Sequence, residues 1–282
     1  MLGHLKATMS PKRSVSHTTL PLRRSKRLKR TESTADSMPA VLQEFRSEGS
    51  PQKAKKSAEF FKTGLGQYGE GDRFLGINVP TSRTYATRMK QFSLPLIREH
   101  LLQSKYHEER LLGWLAVTEQ FKEARKNKDE GQMGRINDLY MANTASVNNW
   151  DIVDTTADKI LGVYLHDHTA QLAGADGFFA TLSRLAVSPV VWERRIAIMA
   201  TFHFIRMGLI AETLRLAEML LSDGHDLIHK AVGWMLREAH KREPQAVEDF
   251  LEVHARDMPR TMLRYSVEKF AADRRKFLME LR

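Results

Sequence analysis

The chain has 282 residues, 42% of them apolar, enough for one large domain or two small ones with a sizeable core. It has no cysteine, which excludes disulfides, cysteine-ligated zinc, iron–sulfur clusters and thiol catalysis, and no apolar run approaches the length that spans a bilayer. The formal net charge is +10, but nine of the 44 Lys and Arg fall in residues 1–31, which hold no acid. The remainder is nearly balanced, so any nucleic-acid contact by the body must rest on how its charges are arranged.

Residues 1–50 have few large apolar groups and contain "LRRSKRLKR" (Leu22–Arg30). They are expected to form a disordered basic tail. Ser10-Pro11-Lys12-Arg13 and Leu22–Arg30 suit phosphates or a nuclear address; the composition also suits a transit peptide, and Met38 offers an alternative start. Residues 51–282 are expected to form a helical domain, because alternating strand patterns are absent. Gly64-Leu65-Gly66-Gln67-Tyr68-Gly69 matches a dinucleotide fingerprint in letters. It follows a helical segment rather than a strand, so a helix end and glycine-rich turn explain it better.

Four segments share a basic residue followed by small and apolar ones: "RLLGWLA" (Arg110–Ala116), "RIAIMAT" (Arg195–Thr201), "KAVGWML" (Lys230–Leu236) and "RTMLRYS" (Arg260–Ser266). Trp150, Trp192 and Trp234 are equally spaced. A unit recurring about every 40 residues predicts an all-α solenoid of HEAT or armadillo type, whose concave face suits a long partner. An irregular helical bundle is the competing architecture.

In "NNWDIVDTTADKILGVYL" (Asn148–Leu165), Asn148 is the expected N-cap and Asp151 favours the first turn. Val153, Ala157, Ile160, Leu161 and Tyr164 define the apolar face. Asp154 falls on the edge of that face with Trp150 one turn earlier. A desolvated carboxylate needs a partner or a task, and Arg195 is a candidate partner. His166-Asp167-His168 is read as complementing a helix C-terminus.

The helix from Trp192 to Arg206 is apolar nearly all round, with Arg195, His203 and Arg206 in a narrow polar strip. A long cation on such a helix meets either a carboxylate inside the protein or an anion at a surface. His225 and His229 have the spacing of two zinc ligands, but Gly224 and Asp226 mark a helix start, and no metal is expected. From Ile228 onward, Ile228, Ala231, Val232, Met235 and Ala239 form a core stripe, with Lys230, Trp234, Arg237 and Lys241 nearly opposite. That second face either covers a neighbouring repeat or binds phosphates beside an aromatic platform.

"YGEGDRFLGINVP" (Tyr68–Pro80), "VNNWDIVD" (Val147–Asp154), "WERRIAI" (Trp192–Ile198) and "LIHKAVGWMLRE" (Leu227–Glu238) occur in this order. Over roughly Phe60 to Phe270 the chain resembles the DNA alkylation repair family of HEAT-like DNA glycosylases, the AlkD-like proteins. The resemblance implies excision of cationic alkylated purines, such as 7-methylguanine and 3-methyladenine, from duplex DNA by a monomeric, monofunctional enzyme without cofactor or metal. It makes Asp154, Trp150 and Trp234 the catalytic groups and Arg195, Lys230 and Arg237 DNA-binding, with Lys241 added from the helical wheel. Such a protein is expected in the cytoplasm of a bacterium or the nucleus of a eukaryote, and a non-catalytic HEAT-repeat module binding DNA or protein is the alternative.

Overall fold

The computed structural model describes residues 37–172 and 177–281. The tail readings for residues 1–36 lie outside them. Helices follow in the order α1 (Met38–Ser47), α2 (Pro51–Phe60), α3 (Val79–Met89), α4 (Leu94–Ile97), α5 (His107–Lys126), α6 (Glu130–Ala142), α7 (Trp150–Thr156), α8 (Val163–Asp167) and α9 (Phe179–Ala186). The chain then forms α10 (Val191–Arg206), α11 (Ala211–Met219), α12 (Asp226–His240), α13 (Pro244–His254), α14 (Arg260–Ser266) and α15 (Ala272–Glu280). A π-helical turn, Asp158–Gly162, joins α7 to α8. Apart from an isolated bridge between Arg73 and Tyr106, no strand pairing occurs among the described residues. None of their helices is long and apolar enough to cross a membrane.

Local chemistry fixes the helix starts. The Ser50 and Asn78 side chains accept from Lys53 and Thr81 N–H, with Pro51 and Pro80 in the following first turns. Asp129 accepts from Gln132 N–H at the start of α6. Packing then follows a stepwise order. α3, α5, α7, α10, α12 and α14 form one row in which each helix packs on the next, while α6, α9, α11 and α13 pack against its members from a second layer. This order is what a stack of helical repeats requires.

One expectation is corrected. The helical domain does not begin at residue 51, because α1 already buries Met38, Val41, Leu42 and Phe45 and packs on α3. Those positions are spaced i, i+3, i+4 and i+7, a complete apolar stripe. Averaging them with the polar tail concealed the stripe.

The core runs through every helix of the first row. Its largest fully buried side chains include Trp114, Tyr140, Phe45 and Phe121. Trp114 and Tyr140 meet edge to face at 5.1 Å, and each polar end is satisfied, the indole N–H by Ser146 and the phenol by Thr156.

Candidate nucleic-acid interface and active site

The glycine-rich segment after α2 is a built turn. Glu108, at the start of α5, accepts from the N–H groups of Leu75 (2.9 Å), Gly76 (2.8 Å) and Ile77 (3.3 Å). Gly76 has φ +80°, and a Cβ there would lie 2.2 Å from the Ser50 carbonyl oxygen. The glycines therefore serve backbone geometry, with no strand before them to form a nucleotide fold.

This turn delivers aromatic rings to the start of α7. Trp150 stacks on Phe61 with centroids 5.3 Å apart, and Phe60 meets it edge-on at 5.9 Å. Phe61 also stacks on Phe74 and lies 4.9 Å from the His107 ring. His107 is buried, with Nε2 2.8 Å from Asp151 and Nδ1 3.5 Å from Asp72. Burial alone would lower its pKa, but the hydrogen bonds to Asp151 and Asp72 prevail and raise it to about 9. A charged imidazole thus stands behind the ring stack at neutral pH. Arg110 completes the cluster by donating to Asp72 and Asn148.

The N-cap of α7 is Asn149, one residue later than expected, because Asn148 is turned to Arg110. Asp154 lies one turn into α7. Its two oxygens accept from Arg195 Nε at 2.9 Å and Nη2 at 2.8 Å. The Arg195 side chain is 6% exposed and that of Asp154 16%. Burial pushes the Asp154 carboxyl above its ordinary range, and the guanidinium opposes that shift. Of the two partners composition allowed for Arg195, the fold supplies the internal carboxylate. Arg195 also donates to the Leu227 carbonyl, and its side chain borders the cavity described below.

α12 presents the second half of the site. Ile228, Ala231, Val232, Met235 and Ala239 are fully buried, as their stripe predicts. Lys230, Trp234 and Arg237 are half-buried on the other side, and Lys241 is exposed. A cavity of ≈ 480 Å³ lies between them and α7, lined among others by Phe60, Tyr68, Trp150, Arg195, Trp234 and Tyr265. Lys230 and Arg237 line it too; Asp154 and Lys241 do not. The cations of this face are matched: Lys230 with Asp226 (2.7 Å), Arg237 with Glu268, and Lys241 with Glu238 (2.7 Å). Exposed pairs of this kind are worth about 0–1 kcal/mol, so a phosphate can replace the carboxylate at small cost.

The two histidines at zinc-ligand spacing are used for capping. His225 Nδ1 accepts from Leu227 N–H, and His229 Nε2 contacts the Asp223 carbonyl. A larger cleft, ≈ 950 Å³, opens among residues of α4, α5 and α6, such as Leu94, Glu123 and Arg135, and contains none of the expected catalytic or DNA-binding residues.

A family model described as "DNA alkylation repair enzyme" matches residues 41–270. The chain belongs to the DNA alkylation repair enzyme family. Its fold is similar to that of a solved structure, a predicted DNA alkylation repair enzyme from Enterococcus faecalis, with a TM-score of 0.61. The two share 16% identity over 80% of this chain and 98% of that one. No curated protein matches the chain. The family match starts within α1, in agreement with the buried stripe there. Membership alone gives no residue a role; the fold joins Trp150, Trp234 and Arg237 around one cavity. Membership also does not reveal Phe60, Phe61, Tyr68 and Tyr265, which sequence reasoning missed. The adjacent phenylalanines beside a glycine-rich turn were the available signal, since Phe60 is 63% exposed although large and apolar.

Proposed function

We propose that this member of the DNA alkylation repair family is a monofunctional glycosylase that hydrolyses the N-glycosidic bond of cationic alkylated purines, 7-methylguanine and 3-methyladenine among them, in duplex DNA. The observation that carries the reading is a cavity lined by two indoles, Trp150 and Trp234, with a largely desolvated carboxylate one turn from the first. An alkylated purine already bears the positive charge that makes it a leaving group, so no general acid is needed, unlike sugar hydrolysis with two carboxyls. What is needed is stabilisation of positive charge on the deoxyribose and a positioned water.

Magnitudes decide how much Asp154 can contribute. A lone carboxylate about 4 Å from the developing cation, at an effective dielectric of about 20, supplies roughly 4 kcal/mol. Arg195, which lines the cavity while Asp154 does not, cancels at least about half of this, leaving at most roughly 2 kcal/mol, or about thirtyfold in rate. Each indole face adds about 0.5–2 kcal/mol against a cation. Arg195 in this reading positions Asp154 and keeps it ionised. Lys230, Arg237 and Lys241 exchange their carboxylate partners for phosphates.

One observation favours a second reading, a non-catalytic duplex-binding member: both Asp154 oxygens are held by Arg195, and Asp154 does not itself line the cavity. Release of free bases from methylated duplex DNA, followed by chromatography, separates the two. The glycosylase reading expects release by the wild type and a loss of at least about thirtyfold in Asp154→Asn, with DNA affinity retained. No release above spontaneous depurination by a folded wild type transfers the assignment to the binding module.

A further inference from the structure

At the C-terminal ends of α8 and α10 the fold gathers His166, Asp167 and His203, each offering one ligand atom within 4.8 Å of the other two. None of the three lines the cavity described above. Complementing a helix C-terminus explains His168, whose Nδ1 meets the Tyr164 carbonyl and whose Nε2 meets Glu130. It leaves His203 unexplained. That residue is 6% exposed, and its Nε2 is buried without a hydrogen-bond partner. Leaving a buried polar nitrogen unpaired costs about 1–3 kcal/mol, so such a nitrogen beside a second imidazole and a carboxylate points to a ligand.

We propose that His166, Asp167 and His203 bind one divalent cation of the zinc class. Two imidazoles and a carboxylate are a borderline-soft donor set that favours zinc over magnesium or calcium, with a fourth position left for water. Arg125 donates to both Asp167 oxygens, at 2.6 and 2.9 Å. This is compatible with ligation, because each carboxylate oxygen has a second lone pair and metal-bound carboxylates are commonly held by an outer donor. Two cations lie near His203, and each has a carboxylate partner: Arg125 pairs with Asp167 and Arg206 with Asp158. The His166 and His203 rings already meet edge to face at 5.0 Å. An ion here ties the segment that carries Asp154 to the helix that carries Arg195, and so acts as a structural staple rather than a catalyst.

The test uses the full chain freed of metal and titrated with Co²⁺, whose visible ligand-field absorption reports ligation, followed by displacement with Zn²⁺ and by thermal melts. The expected result is one ion per chain at micromolar affinity and a higher melting temperature with Zn²⁺. His166→Gln and Asp167→Asn are expected to weaken uptake at least about tenfold and to abolish the thermal shift. Both side chains are only partly buried, so these variants should fold as the wild type does, checked by circular dichroism. The double variant His100→Gln/His254→Gln, which alters other histidines, is expected to bind as the wild type does. Absence of saturable uptake, or uptake by His166→Gln equal to the wild type, overturns the assignment.

Discussion

Arg195 and Asp154 meet through two hydrogen bonds, and a related buried pair occurs earlier in the chain, where Arg110 donates one bond to Asp72 and another to Asn148. Each arginine opens one of the recurring basic–apolar phrases, so in these two of the four the basic residue ties neighbouring segments together. Breaking such a pair would leave an uncompensated buried charge, which costs about 3–5 kcal/mol. This explains why the cation sits on an otherwise apolar helix without invoking DNA. His107 adds a pH dependence to the earlier of these clusters. Its pKa is raised from 6.5 to about 9 in the folded protein, so protonation favours the native state. The resulting stabilisation is fully present below about pH 6.5 and is lost as pH rises through about 9, for a total of about 3 kcal/mol. Urea midpoints measured from pH 6 to 10 should fall accordingly in the wild type and stay flatter in His107→Gln. Parallel profiles for the two proteins would show that folding leaves the imidazole pKa unshifted.

At the scale of helices, what the sequence could reveal depended on whether a feature was local. The buried stripe of α12 and the opposite placement of Trp234 and Arg237 follow from one helical period and were legible. The same "GW" phrase, however, places Trp114 wholly in the core and Trp234 beside the cavity. Only the neighbours differ, and neighbours are a tertiary property. The ring stack of Phe61, Phe74, His107 and Trp150 joins three distant segments, so no periodicity could announce it. The glycine of the phrase has its own role in α12. A Cβ on Gly233 would lie 2.5 Å from the Met262 carbonyl oxygen and 2.5 Å from Tyr265 Cβ, both on α14. Gly233→Ala should therefore separate α12 from α14 and destabilise the fold by about 1–3 kcal/mol. Trp234 is the next residue and Tyr265 lines the same cavity, so DNA affinity should fall as well. Gly131→Ala, on an exposed position of α6 with nothing closer than 3.4 Å, is expected to be neutral or stabilising. Equal denaturation midpoints for the two variants would remove the close approach of α12 and α14 as the reason for the glycine.

For the whole molecule, the distribution of charge sets how selectivity and affinity divide. Beyond residue 31 the acids and bases nearly cancel, and the α12 cations Lys230, Arg237 and Lys241 are already matched by Asp226, Glu268 and Glu238. Such a surface attracts a polyanion weakly over distance, yet loses little when a phosphate displaces a carboxylate at contact. The nine uncompensated cations of residues 1–31 are a different resource, since each phosphate they neutralise releases counterions and steepens the salt dependence by about 0.9. Deleting residues 1–36 should therefore reduce the magnitude of the slope of log affinity against log salt by about 3–8, measured by fluorescence anisotropy on a short duplex. Affinity for methylated and unmethylated duplex should fall by the same factor, because composition of this kind carries no lesion information. The single-turnover rate of base release at saturating protein should stay unchanged, because the cavity is built from residues far beyond the tail. An unchanged slope would show that the basic segment does not touch DNA and would leave an address as its remaining role.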